Sequence, residues 1–138
     1  MNESAESIAK GFVEAINRHD VDALAELMTE EHCFIDSLGN QVRGRERMRA
    51  GWAGYFRMVP DYSIAIDEAY SDGPIAMLVG TAHGTYSPDG QRKEENRWKT
   101  PVAIRASILM GGVAEGKVAE WRVYADNAPI RRLMARPR

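Results

Sequence analysis

Apolar residues in the first part of the chain recur at intervals of three and four, the spacing of one helix face. The pattern predicts three helices, whose apolar positions are Ile8, Ala9, Phe12, Val13 and Ile16; Val21, Leu24, Leu27 and Met28; and Met48, Trp52, Tyr55, Phe56 and Val59. The first helix spans residues 4–18. Asp20 is placed to cap the second helix, which continues to about residue 30, because its carboxylate can accept the free amides of the first turn. The third helix follows Gly44 and ends before Pro60, since proline disfavours helical geometry in the preceding residue.

Most of the remaining chain is predicted to be extended. Segments rich in β-branched and aromatic residues are separated by turn sequences such as Asp72-Gly73 and Gly111-Gly112. The predicted strands are residues 32–36, 62–70, 74–86, 97–110 and 117–125. Pro129 begins a short terminal helix. Helices followed by hairpins predict an α+β fold, in which the helices cover one face of a curved antiparallel sheet.

Composition narrows the function classes. With 138 residues and 44% hydrophobic content, the chain is expected to form one domain over residues 1–138. A net charge of −2 leaves no basic excess to attract nucleic acid or an anionic membrane. The acidic start and the lack of a long apolar run predict a soluble protein without a secretory signal. One cysteine, Cys33, fits a reducing compartment, so a cytoplasmic protein is expected.

Four stretches together carry a family resemblance. They are FVEAINRHDVDAL (residues 12–24), GRE (44–46) with a tryptophan downstream, VPDY (59–62) and GKVAEWRVYAD (116–126). In combination they resemble the SnoaL-like members of the NTF2-like superfamily, relatives of ketosteroid isomerases and limonene-epoxide hydrolases. The resemblance implies a cystatin-like cone, with a bent sheet wrapped around the helices and a pocket between them. It also implies a homodimer packed through the outer face of the sheet.

Asp36 and His83 are two of three candidate catalytic residues. The resemblance places Asp36 at the general-base position of ketosteroid isomerases, where an apolar cavity can raise a carboxylate pKa and favour proton relay. The alternative is an aspartate that binds the amides of its own turn. His83 resembles a pocket acid, base or orienting residue, and its ordinary pKa suits proton transfer near neutrality. The alternative is a strand histidine paired across the sheet.

Asp126 is the third candidate, in a segment similar to the catalytic aspartate segment of SnoaL-like cyclases. Strand alternation places Asp126 on the face of Arg122 and Tyr124, opposite Trp121 and Val123. The apolar face should be the buried one. The alternative is therefore that Asp126 or Asn127 caps the terminal helix.

The chain departs from two enzymes that it resembles. At the positions where the isomerase places hydrogen-bond donors for an enolate oxygen, this chain has Phe12 and Ala106, neither of which can donate. An authentic ketosteroid isomerase is disfavoured, because oxyanion stabilisation is usually the largest rate term. The epoxide-hydrolase triad is incomplete, since Arg97 is followed by Trp98 and Lys99 and not by an aspartate.

Large side chains are predicted to line the pocket, although each also suits an ordinary core. They are Phe12, Trp52, Tyr55, Phe56, Tyr62 and Trp98. The histidines and the cysteine lack metal-ligand spacing and no glycine-rich phosphate loop is present, so no metal, nucleotide or other cofactor is expected. A homodimer is expected because Val102, Ile104, Trp121 and Val123 would give the sheet more apolar surface than three helices can cover.

Two functional hypotheses follow. The first is a cofactor-free isomerase, cyclase or lyase that uses carboxylate acid–base chemistry on a small hydrophobic carbonyl or polycyclic compound. The second is a non-catalytic ligand-binding or assembly module with the same pocket. Convergence of Asp36, His83 and Asp126 on one cavity would favour the enzyme.

Overall fold

The computed structural model describes residues 4–135 and has an α+β architecture. The helices are α1 (Ala5–Asn17), α2 (Val21–Glu26), α3 (Arg45–Met58) and α4 (Ala128–Ala135). The strands are β1 (Met28–Ile35), β2 (Gln41–Arg43), β3 (Ser63–Asp72), β4 (Ile75–Thr85), β5 (Arg97–Ile108) and β6 (Val118–Ala125). Ser4 caps α1 and Asp20 caps α2, each through a side-chain oxygen that accepts an amide of the first turn.

The six strands form one sheet in the order β2-β1-β6-β5-β4-β3. Strands β3 to β6 make the predicted antiparallel meander. The sheet as a whole is mixed, however, because β1 runs parallel to β6 and also pairs with β2, which was not predicted as a strand. A bulge between Ile66 and Glu68 interrupts the β3–β4 register and bends the sheet.

The second helix is shorter than its apolar pattern predicts. It ends at Glu26, and residues 28–30 belong to β1 instead. The amide of Val118 donates to the carbonyl of Leu27 at 2.7 Å, and Met28 pairs with Val118 in the parallel ladder. Pairing with a strand 90 positions away along the chain thus overrides a local helical pattern.

The core lies between α1, α3 and the inner face of the sheet. Phe12 of α1 packs on Trp121 of β6, with ring centroids 4.4 Å apart. Trp121, Val102 and Ile104 are buried on this inner face. The expectation that these residues give the sheet more apolar surface than the helices can cover is therefore wrong, because all three are buried. Among residues 4–135, no helix is long and apolar enough to cross a membrane.

Candidate functional site

A cavity of about 310 Å³ opens between α3 and the inner face of the sheet. Its lining residues are Phe34, Asp36, Ser37, Val42, Met48, Gly51, Trp52, Tyr55, Tyr62, Ile64, Val102, Ile104, Trp121, Val123 and Asn127. Most are apolar or aromatic, and Asp36 is the only charged side chain in this set. The polar residues Asp36, Ser37 and Asn127 follow the carboxyl ends of β1 and β6, which meet at one edge because the strands are parallel.

Asp36 both lines the cavity and holds its own turn together. Its Oδ1 accepts hydrogen bonds from the amides of Leu38 and Asn40, each at 2.9 Å, and its Oδ2 accepts from Nδ2 of Asn40 at 3.1 Å. These contacts are those of the turn alternative. They fill three of the about four lone-pair sites of the carboxylate, so one site on Oδ2 stays open.

Ser37 and Asn127 join two distant segments at the edge of the cavity. Nδ2 of Asn127 donates to Oγ of Ser37 at 2.6 Å. The bond ties the β1–β2 turn to the connection between β6 and α4. Sequence analysis did not predict this pairing, because the two residues are 90 positions apart and nothing local marks them as partners.

Aromatic rings form the α3 side of the cavity. Trp52 is 6% exposed, lies edge-on to Phe34 and tilts against Tyr62. The rings of Tyr55 and Tyr62 meet edge to face, with centroids 4.9 Å apart and planes at 89°. Edge-to-face contacts of this kind fix ring orientation as well as burying area.

The two tyrosine hydroxyls are polar groups within this apolar wall. Neither makes a hydrogen bond to any residue in the described part of the chain, and neither is shut off from solvent. Burial raises the pKa of Tyr55, and the neighbouring Tyr62 raises it further. Burial alone raises the pKa of Tyr62. Both hydroxyls thus stay protonated at physiological pH and are available as donors.

The α1–α2 junction positions Tyr62. Nε2 of His19 donates to the carbonyl of Tyr62 at 2.8 Å, since a carbonyl can only accept. The His19 ring stacks on Phe56 at 4.1 Å. The amide side chain of Asn17 donates to the carbonyl of Ile64 at 2.9 Å and accepts from its amide at 2.8 Å. Asn17 thus replaces a neighbouring strand along the free edge of β3.

Asp61 fixes the same segment from the other side. It accepts hydrogen bonds from the amide and the hydroxyl of Thr85, each at 2.7 Å, and lies 4.0 Å from Arg92. Burial acts to raise the pKa of Asp61, but these bonds and the Arg92 charge outweigh it and hold the pKa below its usual range. Asp61 is thus a structural carboxylate that joins the start of β3 to the end of β4.

His83 does not lie in the cone cavity. It is exposed on the opposite face of the sheet, across from Lys99 in the β4–β5 register, and it lines a separate outer cleft with Arg97. The small neighbour Gly84 does not make room for the imidazole. A Cβ at Gly84 would lie 2.4 Å from Cγ1 of Val59, so glycine is needed for close packing on the inner face.

Asp126 is also outside the cavity. It is exposed, and its Oδ1 accepts the amide of Ala128 at 2.9 Å at the start of α4. This contact is the one expected of a residue that caps the start of α4. The predicted convergence of Asp36, His83 and Asp126 on one cavity is not found, since only Asp36 lines it.

Half of the predicted wall residues lie in the wall. Trp52, Tyr55 and Tyr62 line the cavity. Phe12, Phe56 and Trp98 are buried but do not line it. Phe12 fills the space between Trp121 and His32, Phe56 packs on His19, and Trp98 packs behind Tyr62. Within residues 4–135, no group of three or more histidine, cysteine or acidic side chains is placed to hold a metal ion.

The chain thus has a cone-shaped α+β fold with a cavity between α3 and the sheet. A sequence model of the SnoaL-like domain matches residues 9–123. The chain therefore belongs to the SnoaL-like family, as its four sequence stretches predicted. No curated protein matches the chain by sequence.

Solved structures with low sequence identity share the fold. A cystatin-fold protein from Novosphingobium aromaticivorans is 24% identical, with a TM-score of 0.73 over 88% of this chain and 98% of the other. A candidate SnoaL-like polyketide cyclase from Shewanella denitrificans is 15% identical, with a TM-score of 0.79 over 96% and 98%. A protein with a ketosteroid-isomerase-like fold from Catenulispora acidiphila, in complex with trimethylamine, is 16% identical, with a TM-score of 0.76 over 94% and 93%. These similarities confirm the cystatin-like, NTF2-like cone.

Proposed function

We propose that this protein binds a small, uncharged and mainly apolar ligand in the cone cavity. The observation that carries the proposal is an aromatic and aliphatic cavity with a few polar groups, the usual composition of a small-molecule site. Its volume of about 310 Å³ lies at the lower end of the range for such sites, roughly 300–1,000 Å³. A compound of one or two rings suits this volume better than a four-ring steroid.

Electrostatics support an uncharged ligand. The lining residues include one carboxylate, Asp36, and no lysine, arginine or histidine. An anionic ligand would lose its hydration without gaining a cationic partner. A cationic ligand would have Asp36 as its single charged partner among the lining residues, and that charge is already shared with three hydrogen-bond donors.

A cofactor-free isomerase, cyclase or lyase is the second candidate. The observation in its favour is that Asp36 lines the cavity in which the two tyrosine hydroxyls lie. Such an enzyme would rely on Asp36 alone among the three predicted catalytic residues. We place ligand binding first because Asp36 serves its own turn and His83 and Asp126 lie elsewhere.

Soaking crystals with a mixture of one-ring and two-ring ketones and phenols tests the binding proposal. We expect electron density in the cavity and micromolar to millimolar affinity by calorimetry. Val123→Phe should fill the cavity and abolish binding, whereas Val113→Phe, on the exposed β5–β6 connection, should not. An empty cavity and no binding heat for any probe would refute the proposal.

Hydrogen–deuterium exchange separates binding from turnover. 1-Tetralone has exchangeable protons beside its carbonyl, and proton NMR in D₂O follows their loss. Exchange that is faster than in buffer, and that Asp36→Asn removes, would support the enzyme. Binding without faster exchange would support ligand binding without turnover.

A further inference from the structure

We propose that the hydroxyls of Tyr55 and Tyr62 are the hydrogen-bond donors of this site, and that its ligand therefore carries an acceptor oxygen, a carbonyl or an ether, on a one-ring or two-ring apolar frame. This inference rests on the proposed ligand-binding function and names the class of ligand.

The first step is that neither hydroxyl has a partner among residues 4–135. Tyr55 and Tyr62 line the cavity, and neither oxygen hydrogen-bonds to any described residue. Neither hydroxyl is shut off from solvent, so water can reach both in the free protein; a ligand that displaces this water must supply an acceptor or leave the hydroxyls unpaired. Two such hydroxyls in contacting side chains therefore point to a partner that arrives with the ligand.

The second step is that the hydroxyls act as donors. Burial keeps both phenols neutral, as the direction of their pKa shifts shows. Asp36 is the carboxylate among the residues that line the cavity. It accepts hydrogen bonds from Leu38 and Asn40 and from neither tyrosine. A neutral phenol with no protein acceptor matches a ligand oxygen that bears lone pairs.

The third step is that the pair is held in place before the ligand arrives. Tyr55 comes from α3 and Tyr62 from the start of β3, and their rings meet at 89°. His19 holds the Tyr62 backbone, and the Tyr62 ring also packs on Trp98 with centroids 5.9 Å apart. Donors fixed in this way lose little conformational freedom on binding. Tyr55 and Tyr62 are not the positions at which the resemblance to ketosteroid isomerases implies hydrogen-bond donors. This chain has Phe12 and Ala106 at those positions, and neither can donate.

The competing ligand class is an organic cation. Aromatic walls can bind quaternary ammonium groups through cation–π contacts. Such a ligand would not use the two hydroxyl protons and would bring them no acceptor. The acceptor ligand satisfies both hydroxyls, and for that reason it is the one proposed.

The test compares two probes of nearly equal shape, 1-tetralone and its hydrocarbon tetralin, by calorimetry on the full chain. We expect the wild-type protein to bind the ketone about tenfold more tightly, which corresponds to about 1.4 kcal/mol. Tyr55→Phe and Tyr62→Phe should each weaken ketone binding several-fold, and the double variant should bind both probes equally. Tyr86→Phe, at a half-buried tyrosine outside the cavity, should change neither affinity.

Two further measurements distinguish recognition from packing. The carbonyl infrared band of bound 1-tetralone should lie at lower frequency in the wild type than in the double variant. The urea midpoints of the single variants should stay close to that of the wild type, because neither hydroxyl makes a hydrogen bond within the described part of the chain.

The outcomes are separable. Equal binding of ketone and hydrocarbon by the wild type, or an unchanged ketone preference in the double variant, would overturn the donor assignment and leave the binding function standing. Tighter binding of phenyltrimethylammonium than of 1-tetralone would also overturn it, in favour of the cation. Failure of all three probes to bind the wild type, with empty cavities in the soaked crystals, would overturn the proposed function itself.

Discussion

His32 should make the protein less stable in mild acid. Its side chain is fully buried in β1 and stacks beside Phe12, with ring centroids 5.9 Å apart. Nδ1 donates to the carbonyl of Val118 at 2.8 Å, whereas Nε2 has no partner among residues 4–135. Burial lowers the pKa of His32, and the Val118 bond and the charge of Glu120 offset only part of that effect.

The direction of this pH dependence follows from the difference in proton binding between the unfolded and the folded chain. Because the pKa of folded His32 lies below its ordinary value of 6.5, the unfolded chain takes up the proton first as the pH falls. Stability is therefore complete above about pH 6.5 and decreases below it, until the folded state is also protonated. One histidine contributes at most about 1.4 kcal/mol per pH unit. Between pH 8 and pH 5 the loss cannot exceed about 2 kcal/mol, a substantial part of a total stability of roughly 5–15 kcal/mol.

Urea unfolding, followed by tryptophan fluorescence at intervals of half a pH unit from 8 to 5, measures this loss. His32→Asn retains an amide near the position of Nδ1 but does not titrate, so its stability should vary less with pH although its absolute stability is lower. His83→Asn, at an exposed histidine, should keep the wild-type pH dependence. The reasoning is wrong if His32→Asn and the wild type lose the same free energy over this range. It is also wrong if the His32 ring protons of the folded protein titrate near pH 6.5.

Three further predictions concern the cavity and the sheet. Trp52→Ala should cost about 3–5 kcal/mol in urea unfolding, because Trp52 is buried among aromatic rings; a loss well below that range would make the ring a wall without a core role. Asp36→Asn should cost about 1 kcal/mol through the weakened turn; unchanged or higher stability would instead indicate a strained, functional carboxylate. The protein should sediment as a dimer at micromolar concentration, since Met77, Val79 and the exposed Tyr70 lie on the outer face of the sheet; a clean monomer would contradict this.

Local signals made much of the fold predictable. Asp20 marks the start of α2, Gly44 the start of α3 and Pro60 its end, because caps and proline geometry act over a few residues. The pairing of β1 with β6 has no local signal, since it depends on Met28 and Val118 meeting across the fold. For that reason α2 was predicted too long and the sheet was predicted to be wholly antiparallel.

The candidate site was harder to predict than the fold. On β4 the inner face carries Gly80, Ala82 and Gly84, so alternation of large and small residues does not identify the buried side. Two of these positions are glycine because other atoms lie against them: a Cβ at Gly80 would lie 1.9 Å from the carbonyl oxygen of Ala65, and one at Gly84 would lie 2.4 Å from Cγ1 of Val59. Only the folded chain shows that His83 is on the other face. Asp36 had two plausible roles, because it lies in a turn and also lines the cavity.

Two polar residues of the α1–α2 junction belong to a stretch that carries the family resemblance, and they bind the backbone beside the cavity. Asn17 and His19 lie outside the cavity lining, yet their side chains hold the backbone of Ile64 and Tyr62. Asp61 holds the same segment through Thr85. These bonds fix the first residues of an edge strand, which would otherwise be free to shift on one side. Residues of two stretches that carry the family resemblance thus position Tyr62, and through it the aromatic wall on which the proposed ligand binding depends.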